Sequence, residues 1–464
     1  MAEEAGYQEH GSKTVVYLSS LVAAMGGFLF GYMMVIASGA IIFMKKEFSL
    51  SDVQVGFAIT SLQIGCIAGP VIAGAISDRW GRKLAFLLSA LLFLISSIGA
   101  ALSRHMVEFN LFRIVGGVGV GLVSVVAPMY IAEISPRRIR GSLVSLNQFA
   151  IVTGTLMSYV AAYLLSFSGN WRLMFGSALL PTAVFLMGIR FIPQSPRWLA
   201  QKNRLQDALH VLTQIDGRKN AELEIQAMEG AASEKSGKVS ELFQPRARKA
   251  LLIGTALCFF QAWCGMTAII FYSPIIYQKA GFAGASDAIF QALLLNILAF
   301  FCTVAALVLV DRAGRKPLLL IGTAGLALSQ IALGLCFQIN LTGHFIVVAL
   351  FLCNIFYQIS LAPLAWLILS EIFPIRLRTL GQSAGALIVW ISNCLVTQVL
   401  GPLMGILEKS FGSAAGAFWI FSAVCAGAFI FGWRLVPETK GKRLEEIADF
   451  WGRKAKAAVV NSKW

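Results

Sequence analysis

A small set of amide and indole side chains stands inside stretches that are otherwise apolar: Gln148, Gln261, Trp263, Trp366, Trp390 and Asn393. Amides exchange hydrogen bonds with hydroxyl groups in both directions, and indole faces cover C–H surfaces. Together they suit a solute with hydroxyls around an apolar ring. The competing reading for each Trp is core packing or an interfacial belt; for each amide it is an interhelical hydrogen bond. Arg113 is the one ionisable side chain read deep in such a stretch, a few residues inside its start, where the long stem could carry the charge to the edge. Covalent chemistry has no support. The four histidines (10, 105, 210, 344) lie at loops, termini or stretch edges without ligand spacing. No phosphate-binding loop is present, and no catalytic residue, metal or cofactor is expected.

The elements that must position these groups are long and apolar. The chain has 464 residues, 57% hydrophobic and 13% charged, with a mean hydropathy of +0.74. A water-soluble domain cannot hide that much apolar surface, so the solvent must be lipid. Twelve stretches reach the roughly 20 residues needed to cross a bilayer: about 15–43, 53–77, 84–103, 107–133, 141–168, 173–192, 249–278, 288–310, 317–339, 344–373, 379–407 and 414–435. Six precede the most polar internal segment and six follow it. That segment, 194–248, carries Leu205, Ala208, Leu209, Val211 and Leu212 at helical spacing, which predicts two or three short amphipathic helices. Residues 443–452 read likewise. The eight cysteines all fall in apolar stretches, so a disulfide framework is not expected. The polar start, Met1 to Lys13, does not read as a signal peptide.

The chain repeats itself. Asp78-Arg79-Trp80-Gly81-Arg82-Lys83 returns as Asp311-Arg312-Ala313-Gly314-Arg315-Lys316, about 233 residues on. Glu133-Ile134-Ser135-Pro136-Arg137-Arg138-Ile139-Arg140 returns as Glu371-Ile372-Phe373-Pro374-Ile375-Arg376-Leu377-Arg378, about 238 on. Pro193-Gln194-Ser195-Pro196-Arg197 is echoed by Pro437-Glu438-Thr439-Lys440-Gly441. Ordered matches at a nearly constant offset mean a duplicated half, the signature of transporters that rock two halves about a central site. Gly74, four residues before Asp78, is expected to let neighbouring helices approach closely. Asp78, Arg79, Arg82, Glu133, Arg140, Asp311, Arg312, Arg315, Glu371 and Arg378 are read as a gating latch; the bland alternative is that they only mark topology. The net charge of +15 sits in alternate loops, which implies anionic headgroups on the cytoplasmic side, not nucleic acid. Both termini are then cytoplasmic, in a plasma (inner) membrane.

These motifs, with Pro128-Met129-Tyr130-Ile131-Ala132-Glu133 before the first Arg cluster, resemble the sugar porter family of the major facilitator superfamily from about residue 17 to 452. They are especially similar to bacterial pentose and hexose proton symporters and animal facilitative glucose transporters. The resemblance implies an all-α membrane protein of twelve transmembrane helices in two pseudo-symmetric six-helix bundles, with cytoplasmic amphipathic helices. The boundaries expected are 1–193, 194–248, 249–436 and 437–464. It implies a sugar or polyol as solute, alternating access and a functional monomer. It places Gln148, Gln261, Trp366, Trp390 and Asn393 on positions that line the family's sugar site. There are departures. The family's second span-seven glutamine is Ala262, its asparagine five residues on is Thr267, and its span-eight asparagine falls on Ala299, with Asn296 one turn earlier. Gln194 stands where the family has Glu. Proton-coupled members carry an aspartate after Gly-Tyr in span one; here the sequence is Gly31-Tyr32-Met33, and Arg113 matches that aspartate's partner.

Facilitated diffusion follows from Met33. Three alternatives stand beside it: proton symport through another titratable group, transport of an anionic sugar acid on Arg113, and a non-transporting receptor. About 23 residues follow Gly441, short for a signalling tail.

Overall fold

The computed structural model describes residues 12–136, 139–231, 239–373 and 377–438, with the side chains of 227–231, 239, 245, 246, 307, 311, 370, 378 and 379 outside the description. Arg137, Arg138, Pro374, Arg376, Thr439 to Gly441 and the helix expected over 443–452 lie outside the described residues. Among those described there is no strand. Twelve helical segments are long and apolar enough to cross a membrane: Lys13–Glu47, Asp52–Trp80, Arg82–Leu102, Met106–Ile134, Arg140–Ser166, Trp171–Phe191, Ala247–Lys279, Ala285–Val310, Arg315–Gln338, His344–Leu369, Leu380–Phe411 and Ala415–Leu435. They are called spans 1 to 12 below. A helix satisfies every backbone group within its own segment without water, which is why apolar runs of this length fold this way.

Three spans are broken. Span 6 is Trp171–Gly176 followed by Leu179–Phe191. Span 7 is Pro245–Trp263 followed by Met266–Lys279, and span 10 is His344–Gln358 followed by Leu361–Ile372. In span 7 the break is Gly265, at φ +79°. A β-carbon there would also lie 2.3 Å from the Phe421 ring, so only glycine fits. The carbonyl of Cys264, released at the break, accepts from Gln330 Nε2 at 2.8 Å. A buried amide on span 9 thus restores the bond that the broken helix loses.

The chain forms two compact units. One comprises Met1–Ala40 and Ser61–Lys235; the other comprises Ile41–Thr60 and Ser236–Trp464. In the first, spans 2 and 4 meet backbone to backbone: a β-carbon on Gly65 would fall 2.0 Å from Ile114 O, and one on Gly117 would fall 1.9 Å from Leu62 O. Gly74 does not share this role. A β-carbon there meets nothing within 4 Å, and the close approach lies instead at Gly65 and Gly69, the latter 2.4 Å from the Gly121 α-carbon by the same measure. The second unit includes the linked ends of spans 1 and 2. Within it Thr60 Oγ1 bonds Gln398 Oε1 at 2.9 Å, and Gln398 Nε2 donates to Val53 O at 3.2 Å.

Between spans 6 and 7 lie three short helices, Pro196–Gln201, Leu205–Asp216 and Arg218–Ala231, and a 3₁₀ turn at Val239–Phe243. Ala208, Val211, Leu212 and Ile215 are buried along one stripe, as helical periodicity requires. Leu205, at the start of its helix, is exposed instead.

Candidate functional site

Gln261 ends the first helix of span 7, one turn before the break, and is buried. Its Nε2 lies 3.4 Å from the hydroxyl of Tyr357, in the first helix of span 10. That hydroxyl also bonds Thr267. Trp390 and Asn393 are buried three residues apart on span 11, a spacing that puts both on one helix face. Trp366 is 39% exposed on the second helix of span 10. Spans 7, 10 and 11 pack on one another. Buried amide oxygens Oε1 of Gln261 and Oδ1 of Asn393 have no hydrogen-bond partner among the described residues. Gln148 belongs to the first unit, where it is exposed on span 5.

Other polar residues are already engaged. Trp263 stacks on Phe259 of its own helix with ring centroids 5.4 Å apart, the packing role. Asn296 donates to Ala292 O of its own span at 2.8 Å, and Ala299, one turn later, is buried. Tyr357, Gln330 and Gln398 were missed in the sequence. Their signal was available: a Tyr hydroxyl or an amide inside an apolar run must find a partner.

Arg113 is 1% exposed. It does not carry its charge to the edge of span 4; it points inward and donates from Nη1 to Met33 O at 2.8 Å. Its guanidinium carbon lies 5.5 Å from the centre of the Phe175 ring. The Met33 sulfur accepts from Ser97 at 3.9 Å, and the neighbouring Tyr32 hydroxyl meets Ser177 at 2.7 Å. The span-one position thus presents a carbonyl and a thioether, with no acid to take up a proton.

The duplicated charged loops have definite partners within their own units. Arg82 grips Glu133 with Nε and Nη2, at 2.9 and 2.8 Å, and its Nη1 donates to Ser77 O at 3.1 Å. Asp78 is 3.7 Å from Arg82, with its side chain 72% exposed, and its carbonyl accepts from Trp198 Nε1. Arg79 lies over Trp80. Arg140 is not the partner of Glu133; it donates to Ser135 O at 3.3 Å. In the second unit Arg315 reaches Glu371 at 3.1 Å and Val310 O at 3.2 Å. Arg312 lies on the last turn of its helix. Gln194 Oε1 accepts from Lys83 N at 3.1 Å, and Lys83 Nζ donates to Arg190 O and Ile192 O. Glu438 repeats the first contact with Arg315 N and Lys316 N at 3.1 and 2.9 Å, and Lys316 Nζ donates to Trp433 O. The loops therefore also staple the start of spans 3 and 9 to the chain leaving spans 6 and 12.

The family profile described as "Sugar (and other) transporter" matches residues 19–451. The arabinose-proton symporter of Bacillus subtilis (strain 168) is 37% identical over 446 residues, covering 94% of this chain and 95% of that protein. The D-xylose-proton symporter of Escherichia coli (strain K12) is 32% identical over 481 residues, covering 95% and 96%. Among solved structures, the inward open conformation of the xylose transporter XylE from E. coli superposes with a TM-score of 0.81 at 31% identity, over 94% of this chain and 100% of that one. With its twelve spans, duplicated charged loops and end-to-end match to these proteins, the chain belongs to the sugar porter family of the major facilitator superfamily: it is a multi-pass membrane transporter of the sugar class, not an enzyme.

Proposed function

We propose that this transporter carries a pentose or a related sugar or polyol by alternating access and facilitated diffusion. The observation that carries the solute class is the pair of buried, unpartnered amide oxygens on Gln261 and Asn393, beside an indole on span 11. Each accepts a hydroxyl proton, and Trp390 offers the C–H faces an apolar surface. Gln148, exposed on span 5, is a separate candidate for solute contact within the first unit. Pentoses come first because the similar proteins named above are arabinose and xylose transporters. The replacement of two family amides by Ala262 and Ala299 also favours a solute with few hydroxyls to satisfy. In proteoliposomes, Gln261→Ala is expected to weaken binding of the transported sugar by about 1–3 kcal/mol, roughly 5- to 150-fold. Unchanged affinity would move the site away from span 7.

The transport mode rests on Met33. A symporter needs a group whose protonation differs between facing states. Methionine has none, and arginine stays charged. Vesicles loaded symmetrically with xylose or arabinose and given an inward proton gradient should show equilibration only. Accumulation that an uncoupler abolishes would overturn uniport while leaving the sugar reading intact. In this reading both termini are cytoplasmic, which the basic loops support through the positive-inside rule, and the charged loops serve as the gate. Asp78→Asn or Glu133→Gln should slow transport at equal membrane level; wild-type rates would remove the gating role.

A further inference from the structure

Arg113 is a full positive charge, 1% exposed, whose one recorded hydrogen bond goes to a neutral carbonyl. Its Nε and Nη2 meet no acceptor among the described residues. Those two N–H groups lie on one edge of the planar guanidinium. Arg82 uses the same edge to hold both oxygens of Glu133. One residue type, in one unit, thus shows the fork engaged by an anion at one place and open at another. The charge cannot be shed, because a guanidinium does not deprotonate in proteins. Nor is a carboxylate paired with it among the described residues. Glu133 is engaged by Arg82, Asp78 is exposed beside it, and Glu108 is at the start of span 4, accepting from Arg104 N. The groups seen around Arg113 are the Met33 carbonyl, the face of Phe175 and the buried, protonated thiol of Cys66. None supplies compensating charge, and a buried charge left uncompensated is strongly destabilising.

We propose that the Nε/Nη2 edge of Arg113 binds a small monovalent inorganic anion, chloride in ordinary media, as a resident counterion in the place where proton-coupled relatives carry a carboxylate. Two convergent N–H donors accept a single spherical ion between them as readily as a carboxylate. The near-complete burial favours an ion of halide size over a sugar acid. The proposal stands apart from the sugar reading, and its test uses no sugar transport.

The purified full-length chain is titrated with sodium chloride against sodium isethionate at constant ionic strength, and its thermal midpoint is followed. A ligand that binds only the folded state raises that midpoint saturably. The midpoint should rise by several degrees in the wild type and in Met33→Asn. The response should vanish in Met33→Asp, which supplies a carboxylate in place of the free ion. Labelled chloride should bind the wild type saturably, at about one per chain as a single fork implies, and nitrate should compete. An equal response in Met33→Asp would place the anion elsewhere. No saturable chloride binding would mean that water fills the edge. If galacturonate, but not chloride, shifts the wild-type midpoint and loses that effect in Met33→Asp, the edge serves a transported acid. Each of these three results overturns the proposal, and the binding arm holds even where a variant fails to fold.

Discussion

The two charged loops start from nearly the same six residues and distribute their electrostatics differently. In the first unit the side-chain pair is the stronger element: Arg82 and Glu133 make two short bonds with side chains only 4% and 8% exposed, and the helix that follows is capped by the neutral amide of Gln194. In the second unit Arg315 and Glu371 lie 3.1 Å apart with 14% and 21% exposure, and the cap is the full carboxylate of Glu438. A carboxylate at a helix N-terminus gains from the positive end of the dipole, which an amide does not. Beyond Trp80 against Ala313 within the loops, the units differ in the capping residue, Gln194 against Glu438, and in the depth of the ion pair. A duplicated pattern therefore fixes the shape of a turn without fixing which of its bonds is strongest.

The comparison is tested most severely by removing the acids. Glu133→Ala leaves buried Arg82 with only the exposed Asp78, 3.7 Å away, for a counterion, and should cost about 3–5 kcal/mol. Glu371→Ala leaves a cation that water can reach, and should cost no more than about 1.5–3 kcal/mol. Thermal midpoints of the purified variants read the order directly, and an inverted order would end the claim that the first unit relies on its pair. Next come the turn glycines. Gly81 and Gly314 have φ of +92° and +90°, a conformation that costs a side-chain-bearing residue about 1–3 kcal/mol. A β-carbon would meet Gln194 Nε2 at 2.2 Å in the first case and Glu438 Oε2 at 2.9 Å in the second. Gly81→Ala should accordingly lower the midpoint more than Gly314→Ala; equal losses would show that the caps give way freely. The smallest effect is the exchange of caps. Gln194→Glu should stabilise by about 0.3–1 kcal/mol and Glu438→Gln should destabilise by a similar amount, both fading in high salt. A gain from Glu438→Gln would mean that the carboxylate is not acting through the helix end.

Much of the architecture was legible because lipid leaves the chain few options. Twelve apolar runs became twelve spans, since an unbroken run of that length has only the helix available. The stripe Ala208, Val211, Leu212 was readable from period alone. The breaks in spans 7 and 10 were not, because composition runs on through Gly265 and Ser360 unchanged; a left-handed φ is a property of the fold. Gly74 misled for a related reason. A glycine permits close approach only on the face turned to a neighbour, and that face is set by packing that one sequence does not record. Arg113 lies seven residues into span 4, about 10 Å along its axis. That depth fits both an outward and an inward reach, and the side chain took the inward one toward Met33. The amides at 148, 261 and 393 stood out as residue types, whereas Tyr357 did not, because a tyrosine in an aromatic-rich span looks like packing until its hydroxyl is seen between Gln261 and Thr267.

Lys83 and Gln194 belong to one turn in space but are 111 residues apart along the chain, and Lys316 and Glu438 are 122 apart. During synthesis the turn after span 2 therefore leaves the ribosome without its cap. At about 5–20 residues per second it waits on the order of ten seconds for span 6 to be made. Each half-chain thus carries its own closing contact, formed last and from its own residues. A ribosome stalled just before residue 190 would leave the start of span 3 uncapped, because Gln194 would not yet exist.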